Sequence, residues 1–216
     1  MRIRFHGHAC FELRSPDSPT LLIDPYKPDG LGGRFNLPPI PAAPDIVAIT
    51  HFHEDHAWID SSWAHAAIVD GNCEAHGITF DTEPLYHDKV NGTQMGLSIA
   101  LRFEYDDLDC LHLGDIGTMP TEAQIAKLSG ADLLLIPVGG TYTLDPQEAV
   151  EAALALNPGW IIPMHGADPR IELPLRPVSE FCDAWPGAVF KDGFPRSWAE
   201  LDERPPQPTV LNLVPS

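Results

Sequence analysis

The sequence predicts an α/β fold in which short buried strands alternate with a few helices. Three observations support this prediction. Short apolar runs recur along the chain, as in Asp45-Ile-Val-Ala-Ile-Thr50 and Leu133-Leu-Leu-Ile136. Two segments carry helix-start signals, at Thr121 and at Asp145. Potential metal ligands come immediately after several of the apolar runs. The ends of strands are where α/β proteins place their ligand sites.

The strands are predicted from the hydrophobic pattern, taken in chain order. Continuous apolar runs are typical of strands that are buried on both faces of a sheet. We therefore expect burial on both faces for Val47, Ile49 and the run Leu133 to Ile136. The predicted strands lie at about residues 2–6, 9–14, 20–24, 45–50, 66–70, 78–81, 97–105, 109–114, 132–138, 160–164 and 209–213.

The two helices are predicted from their capping residues. Thr121-Glu-Ala-Gln124 has the capping-box pattern. Asp145-Pro-Gln-Glu148 combines an N-cap, a proline at the first helical position and a glutamate three residues after the cap. The second helix is expected to end near Asn157-Pro158-Gly159, since proline and glycine follow the last apolar residue.

The segment from Tyr26 to Pro44 is rich in proline and glycine, and it includes Pro38-Pro39 and Pro41. Such a composition is incompatible with a regular helix or a central strand. Two interpretations remain open at this stage. The segment is either a loop that borders a functional cleft or an excursion over the surface.

The densest group of potential metal ligands lies directly after the apolar run that ends at Thr50. It reads His51-Phe-His53-Glu-Asp55-His56. In an extended segment, residues 51 and 53 share one face, while Asp55 and His56 can point towards a second ion. Imidazole and carboxylate suit zinc, manganese or iron, and the lack of nearby thiolates argues against a closed structural zinc site.

Three isolated candidates follow further along the chain. His87 comes after a turn predicted at Glu83-Pro84, Asp115 ends a strand in Gly114-Asp115, and His165 ends the run that starts at Trp160. Each is a weak signal alone, because a histidine at the end of a strand is often a hydrogen-bonded core residue. The informative signal is the order of these residues along the chain, which is His-x-His-x-Asp-His, then His, then Asp, then His.

That order resembles the metallo-β-lactamase superfamily, and the resemblance covers nearly the whole chain. It is closest to the branch with ascorbate-6-phosphate lactonase-like proteins and the phospholipase D that releases N-acylethanolamines. The resemblance implies a four-layer αββα sandwich formed by a single domain over residues 1–216. The motifs that carry the assignment to this branch are Gly7-His8-Ala9, Leu22-Ile23-Asp24-Pro25, His112-Leu-Gly-Asp115, Ile136-Pro-Val-Gly-Gly140 and Ile162-Pro-Met-His165.

The resemblance also implies a centre for two divalent metal ions, with zinc preferred and manganese as the alternative. Two such ions lower the pKa of a shared water and can present hydroxide to an electrophile. Asp55 would orient this water or accept a proton. The implied ligands are His51, His53 and His87 for the first ion, Asp55, His56 and His165 for the second, and Asp115 as the bridge between them.

The function implied is that of a metal-dependent hydrolase that uses metal-bound hydroxide on a small ester, lactone or phosphodiester. One alternative is a flavodiiron-like redox protein, although that group resembles His-x-Glu-x-Asp-His and this chain has His53 at the second position. The other is a non-catalytic metal-binding protein, which usually lacks one or more ligands. His8 and His112 are expected either to support ligating carboxylates or to bond within the core, and Tyr142 is a candidate to face the cleft.

Charge and composition restrict the partners. Lysine and arginine number 13 against 31 acidic residues, a formal net charge of -18, and such a surface repels nucleic-acid backbones. A small-molecule substrate is therefore expected.

The chain has no run of about 18 apolar residues, so no membrane span is predicted, and residues 1–5 lack the pattern of a signal peptide. Four scattered cysteines are expected to be buried thiols of a reducing, cytoplasmic compartment: Cys10, Cys73, Cys110 and Cys182. The sequence leaves the oligomeric state open.

Overall fold

The computed structural model describes residues 1–191 and 198–216, which form two β-sheets packed face to face. The strands of the first sheet are β1 (Arg2–Gly7), β2 (Cys10–Ser15), β3 (Ser18–Ile23), β4 (Ile46–Ala48), β5 (Ala67–Val69) and β13 (Ala199–Glu200). They lie in the order β13-β1-β2-β3-β4-β5. The β1, β2 and β3 strands are antiparallel neighbours, whereas β4 pairs in parallel with β3 and β5.

The second sheet has eight strands in the order β12-β14-β11-β10-β9-β8-β7-β6. They are β6 (Cys73–Ala75), β7 (Ile78–Tyr86), β8 (Leu97–Tyr105), β9 (Leu108–His112), β10 (Leu133–Pro137), β11 (Trp160–Met164), β12 (Val189–Lys191) and β14 (Thr209–Asn212). From β6 to β9 the strands are antiparallel, and from β9 to β12 they are parallel. The carboxyl ends of the parallel strands therefore meet at one edge.

Three helices cover the outer face of the eight-stranded sheet: α2 (Glu122–Leu128), α3 (Pro146–Leu156) and α4 (Val178–Ala184). The predicted caps are confirmed. Thr121 forms a capping box with Gln124, and the carboxylate of Asp145 accepts hydrogen bonds from the N–H groups of Gln147 and Glu148. The α3 helix ends at Asn157, which has a left-handed backbone (φ 47°) suited to a helix C-terminus.

The main core lies between the sheets, where side chains such as Phe11, Leu101 and Ile162 are fully buried. Val47 and the run Leu133 to Ile136 are also buried, as predicted. The outer face of the six-stranded sheet is covered by irregular chain, a four-residue helical turn α1 (Gly30–Gly33) and a one-turn 3₁₀ helix (Ser61–Trp63). The predicted two-sheet α/β sandwich is confirmed, with few and short helices.

Several local predictions were wrong. Glu83 and Pro84 lie inside β7, where Pro84 pairs with Ile99. A proline fits there because β6 pairs only with the first residues of β7, so the missing N–H can face an open edge. Cys73 is exposed on the short strand β6. The sequence also did not predict β6, β12, β13 or α4.

No helix in residues 1–191 or 198–216 is long and apolar enough to cross a membrane.

Candidate metal centre

All seven predicted ligands lie together at one edge of the sandwich, on segments that follow strands of both sheets. Four of them follow β4, and the other three follow β7, β9 and β11. Their ligand atoms form two neighbouring groups around the carboxylate of Asp115. The groups are His51, His53 and His87 on one side, and Asp55, His56 and His165, joined by His8, on the other.

Asp115 lies between the two groups. Its Oδ2 atom is 3.3 Å from Nε2 of His87 and 3.9 Å from Nε2 of His51, both in the first group. The same oxygen is 3.3 Å from Nε2 of His56 and 3.0 Å from Nε2 of His165 in the second group. The residue is fully buried, and its Oδ1 atom has no hydrogen-bond partner. One carboxylate therefore reaches imidazoles of both groups.

In the first group, outer hydrogen bonds set the orientation of two imidazoles. Thr50 Oγ1 donates to Asp24, so it accepts from Nδ1 of His51 at 3.0 Å. Nδ1 of His87 donates to the backbone oxygen of Tyr142 at 3.2 Å. Both Nε2 atoms are left buried and unpaired. Burial, with a contribution from the neighbouring His56, lowers the pKa of His51 to about 3, so its imidazole is neutral at pH 7 and can bind a cation.

In the second group, Asp24 orients His56. Its Oδ2 accepts from Nδ1 of His56 at 3.0 Å, while Thr50 donates to the same carboxylate through its N–H (2.8 Å) and its hydroxyl (2.7 Å). Nε2 of His56 is left unpaired and lies near Asp115. The sequence interpretation assigned no role to Asp24. Its position directly after β3, level with the ligands that follow β4, was the available signal.

His8 contacts the carboxylate of Asp55, as the first of the two alternatives considered for it predicts, and metal binding by Asp55 stays a prediction. Its Nε2 donates to Oδ2 of Asp55 at 3.1 Å, and its ring lies 3.9 Å from that of His165. Burial and the nearby His165 lower the pKa of His8 to about 4. For Asp55, burial acts to raise the pKa, but attraction to His56 and the hydrogen bond from His8 outweigh it and hold the pKa below its usual range.

His112 belongs to the core hydrogen-bond network. Its Nδ1 accepts from the N–H of Gly114 at 3.0 Å, and its Nε2 lies 3.4 Å from the backbone oxygen of Ala9. Gly114 has a φ of 53°, and a Cβ atom there would collide with Ser98. The Ser98 hydroxyl in turn accepts from the N–H of Asp115 at 3.1 Å. This tight turn fixes the direction of the Asp115 carboxylate.

The two groups open into a cavity of about 530 Å³. The proline-rich segment supplies part of its wall through Leu31, Gly32 and Arg34, which confirms that this segment borders the cleft. Tyr142 also lines the cavity, as expected for a residue that faces the cleft. The remaining lining residues are His53, Glu54, Asp55, His87, Met95, Asp115, His165 and Leu173.

Glu54 fastens the proline-rich segment to the ligand segment. Its carboxylate accepts from Nζ of Lys27 and from the N–H of Leu31, both at 2.8 Å. The sequence interpretation gave this exposed residue no function. Its contacts join residues 23 to 27 positions apart, and the motif around His53 gives no indication of them.

Comparison with known proteins gives the family. A family model described as a beta-lactamase superfamily domain matches residues 2–165. The chain belongs to this superfamily. A UPF0173 metal-dependent hydrolase of Methanoculleus marisnigri is a relative within it, 30% identical over 190 residues that cover 76% of this chain and 80% of the relative.

Solved structures agree with this assignment. A protein from Thermotoga maritima, described as a candidate Zn-dependent hydrolase of the metallo-beta-lactamase superfamily, is 29% identical, with a TM-score of 0.75 and 99% of each chain covered. An isothiocyanate hydrolase from Delia radicum gut bacteria has a TM-score of 0.62 at 20% identity, over 85% of this chain and 91% of that one. The second similarity supports the fold alone.

Proposed function

We propose that this protein is a metal-dependent hydrolase that binds two divalent cations and acts on a small ester, lactone or phosphodiester. The observation that carries the proposal is the position of Asp115. One of its carboxylate oxygens, Oδ2, lies within 3.9 Å of imidazole nitrogens in both ligand groups. Names of the relatives from Methanoculleus marisnigri and Thermotoga maritima support metal-dependent hydrolysis.

The side chains present fit a metal centre. Three buried atoms, Nε2 of His51, His56 and His87, have no hydrogen-bond partner although each imidazole is held at Nδ1. Leaving a buried polar atom unpaired costs about 1–3 kcal/mol, and a cation would remove that cost. Imidazoles whose outer nitrogen donates to a carboxylate, hydroxyl or carbonyl oxygen are typical metal ligands.

The donor set also indicates which ions are suitable. Five histidines and two aspartates favour zinc, with manganese as the alternative, because imidazole and carboxylate oxygen serve both. In the proposed arrangement, His51, His53 and His87 would hold one ion, Asp55, His56 and His165 would hold the other, and Asp115 would contribute to both sites. Two such ions would lower the pKa of a bound water and polarise the carbonyl or phosphoryl oxygen of the substrate.

Asp55 has the further role of positioning the attacking water. Its side chain is 13% exposed, lines the cavity and is held at one oxygen by His8. A carboxylate fixed in this way can accept a hydrogen bond from a water and then its proton, as general bases do. Hydrolysis then needs no serine or cysteine nucleophile.

The size and charge of the protein favour a small substrate. A cavity of about 530 Å³ lies in the range of small-molecule sites. The net charge of -18 opposes the binding of nucleic acid. The resemblance to lactonase-like proteins in the motifs around His8 and Asp115 supports lactones as a class to test.

The test is turnover by protein that has been stripped of metal and then reloaded with zinc or manganese. A panel of lactones, p-nitrophenyl esters and bis(p-nitrophenyl) phosphate should yield metal-dependent hydrolysis of at least one class. Asp55→Asn should lower kcat by about 10²- to 10⁴-fold, the usual range for loss of a general base. Asp70→Asn, at an exposed aspartate that follows β5, is the matched control and should keep full activity.

A metal-loaded protein that hydrolyses none of the three classes would contradict the proposal and favour a metal-binding protein without hydrolytic activity. Hydrolysis that persists at the same rate in the metal-free protein would contradict the metal requirement.

A further inference from the structure

We infer that Arg34 recognises an anionic group on the substrate, so that the protein acts on small esters or lactones that carry a carboxylate or a phosphate. The inference rests on the proposed hydrolase function and adds to it the class of substrate. It depends on three features of Arg34: its lack of a partner, its fixed backbone and its place in the cavity wall.

Arg34 differs from the other cationic side chains that the structure describes. The chain has 31 acidic residues against 13 basic ones, so carboxylates are abundant. Lys27 pairs with Glu54 at 2.8 Å, and Arg170 pairs with Asp168 at 2.7 Å. The Arg34 side chain makes no hydrogen bond, ion pair or ring contact with residues 1–191 or 198–216. A guanidinium left unpaired in a chain so rich in carboxylates is available to a ligand.

The backbone around Arg34 is fixed. Its carbonyl oxygen accepts from the N–H of Glu172 at 2.8 Å. The next residue, Phe35, is fully buried and forms a β-bridge with Ile171. The Phe35 ring also packs edge-on against His8 at 4.7 Å, and His8 holds the carboxylate of the metal-ligand segment. The backbone of Arg34 therefore has a defined position relative to the proposed metal centre.

The segment before Arg34 is also held. Leu31 donates its N–H to Glu54, and Lys27 donates to the same carboxylate, as described above. Leu31 and Gly32 have positive φ values of 50° and 68°, so the chain turns sharply just before Arg34. Because Glu54 lies between His53 and Asp55, this turn is attached directly to the ligand segment.

The side chains that line the cavity indicate the chemistry of the middle part of the substrate, between its reactive carbonyl and its anionic group. Besides the metal-ligating side chains and Arg34, the wall includes Leu31, Met95, Leu173 and the aromatic Tyr142. An ester or lactone with a short apolar body could contact these side chains, with its reactive carbonyl at the metal centre and its anionic group at Arg34. Carboxylate and phosphate both match the planar fork of donors that arginine presents.

The experiment compares two esters that share a leaving group and differ in charge. Mono-p-nitrophenyl glutarate carries a free carboxylate, and p-nitrophenyl butyrate does not. For the zinc-loaded protein, we expect kcat/KM to favour the glutarate ester. Arg34→Gln should reduce that preference by about 10- to 100-fold through KM, the loss typical of a hydrogen bond to a charged group. Arg34→Lys should restore part of it, since it keeps the charge and loses the fork.

The control variant is Arg176→Gln, which removes the same charge from an exposed arginine that pairs with Glu180 outside the cavity. It should leave the preference unchanged. An equal loss of preference in both variants, or no loss in Arg34→Gln, would overturn the inference.

A binding measurement separates this inference from the proposed function. Calorimetry with the zinc-loaded protein should show that glutarate binds more tightly than butyrate, and that Arg34→Gln removes the difference. If this result is obtained while neither ester is hydrolysed, the role of Arg34 stands and the hydrolase proposal fails. If the two acids bind equally well to the unmodified protein, the inference about Arg34 fails whether or not esters are hydrolysed.

Discussion

Hydrogen bonds at Nδ1 decide which nitrogen three of the site histidines can offer to a metal: His51, His56 and His87. His56 donates its Nδ1 proton to Asp24, and His87 donates its own to the backbone oxygen of Tyr142. An imidazole binds a metal in its neutral form, which carries one proton, so with Nδ1 donating, Nε2 would present its lone pair to the ion. The unpaired Nε2 atoms therefore follow from contacts outside the metal centre, and they face the carboxylate of Asp115.

Asp115 should matter more for metal binding than any other single residue. Asp115→Ala removes a carboxylate from both proposed positions, so we expect metal content and turnover to fall together. His112→Ala should reduce metal content less, because His112 acts on the Gly114 turn, and outer partners typically change affinity or activity by about 10- to 100-fold. Metal content measured by elemental analysis beside kcat/KM checks both expectations.

The matched control is Asp109→Ala, which removes a carboxylate from β9, the strand that Asp115 follows; the Asp109 carboxylate pairs with Arg102 away from the cavity. It should keep its metal and its activity. If Asp115→Ala also keeps two ions and full activity, Gly114-Asp115 is an ordinary turn and the centre has no bridge.

The sequence revealed the ligands better than it revealed their supports. Metal coordination requires particular residue types, so His51 to His56 was recognisable from a short motif. Asp24 and Glu54 act through contacts between segments that are distant in sequence, and nothing in their local sequence specifies the partner. Arg34 was missed because its significance lies in the lack of a partner.

At the level of elements, the turn between β7 and β8 depends on one carboxylate. Oδ1 of Asp88 accepts from the N–H groups of Val90 and Gly92, both at 2.8 Å. Its Oδ2 accepts from those of Gln94 (2.9 Å) and Met95 (2.8 Å). Asp88 directly follows His87, so the same turn positions a proposed ligand and places Met95 in the cavity wall.

Asp88 should make stability depend on pH in the acidic range. Burial acts to raise its pKa, but hydrogen bonds from Met95 and Gln94 outweigh it and lower the pKa to about 2, from an ordinary value of 3.8. A lowered pKa stabilises the folded protein above the ordinary value, and this contribution is lost as the pH falls towards 2. Asp88→Asn should therefore be less stable than the unmodified protein at neutral pH, by a margin that shrinks between about pH 4 and pH 2.

The measurement is the free energy of unfolding by urea at several pH values, for metal-free protein. Asp17→Asn is the control, since Asp17 is exposed in the turn between β2 and β3. It should show no such margin. A difference between Asp88→Asn and the unmodified protein that stays constant or grows below pH 4 would contradict the role of this carboxylate.

Sequence signals predicted some elements and missed others for identifiable reasons. The α2 and α3 helices begin with side-chain caps, and these are readable in sequence. The α4 helix begins after Pro177, which makes no side-chain cap, so no signal marked its start. The β13 strand has two residues, Ala199 and Glu200, too few to show a periodic pattern. It exists because it pairs with β1.

At the scale of the whole molecule, the sandwich brings segments from both sheets to one edge. The segments after β3 and β4 come from the first sheet, and those after β7, β9 and β11 come from the second. Hydrophobic periodicity alone was compatible with any α/β architecture. The sandwich was predicted through the family resemblance that the order of the ligands carries, and in the structure this fold places His51 beside Asp115.

The central claim is that the protein holds two metal ions, one on each side of Asp115. Crystals of the zinc-reconstituted protein, measured at the zinc absorption edge, test it most directly through the anomalous difference density. We predict two peaks, the first among His51, His53 and His87 and the second among Asp55, His56 and His165. The absence of any peak near these ligands would contradict the account. A single peak among Asp24, His51 and His56, whose ligand atoms also lie close enough together to hold one ion, would contradict it too.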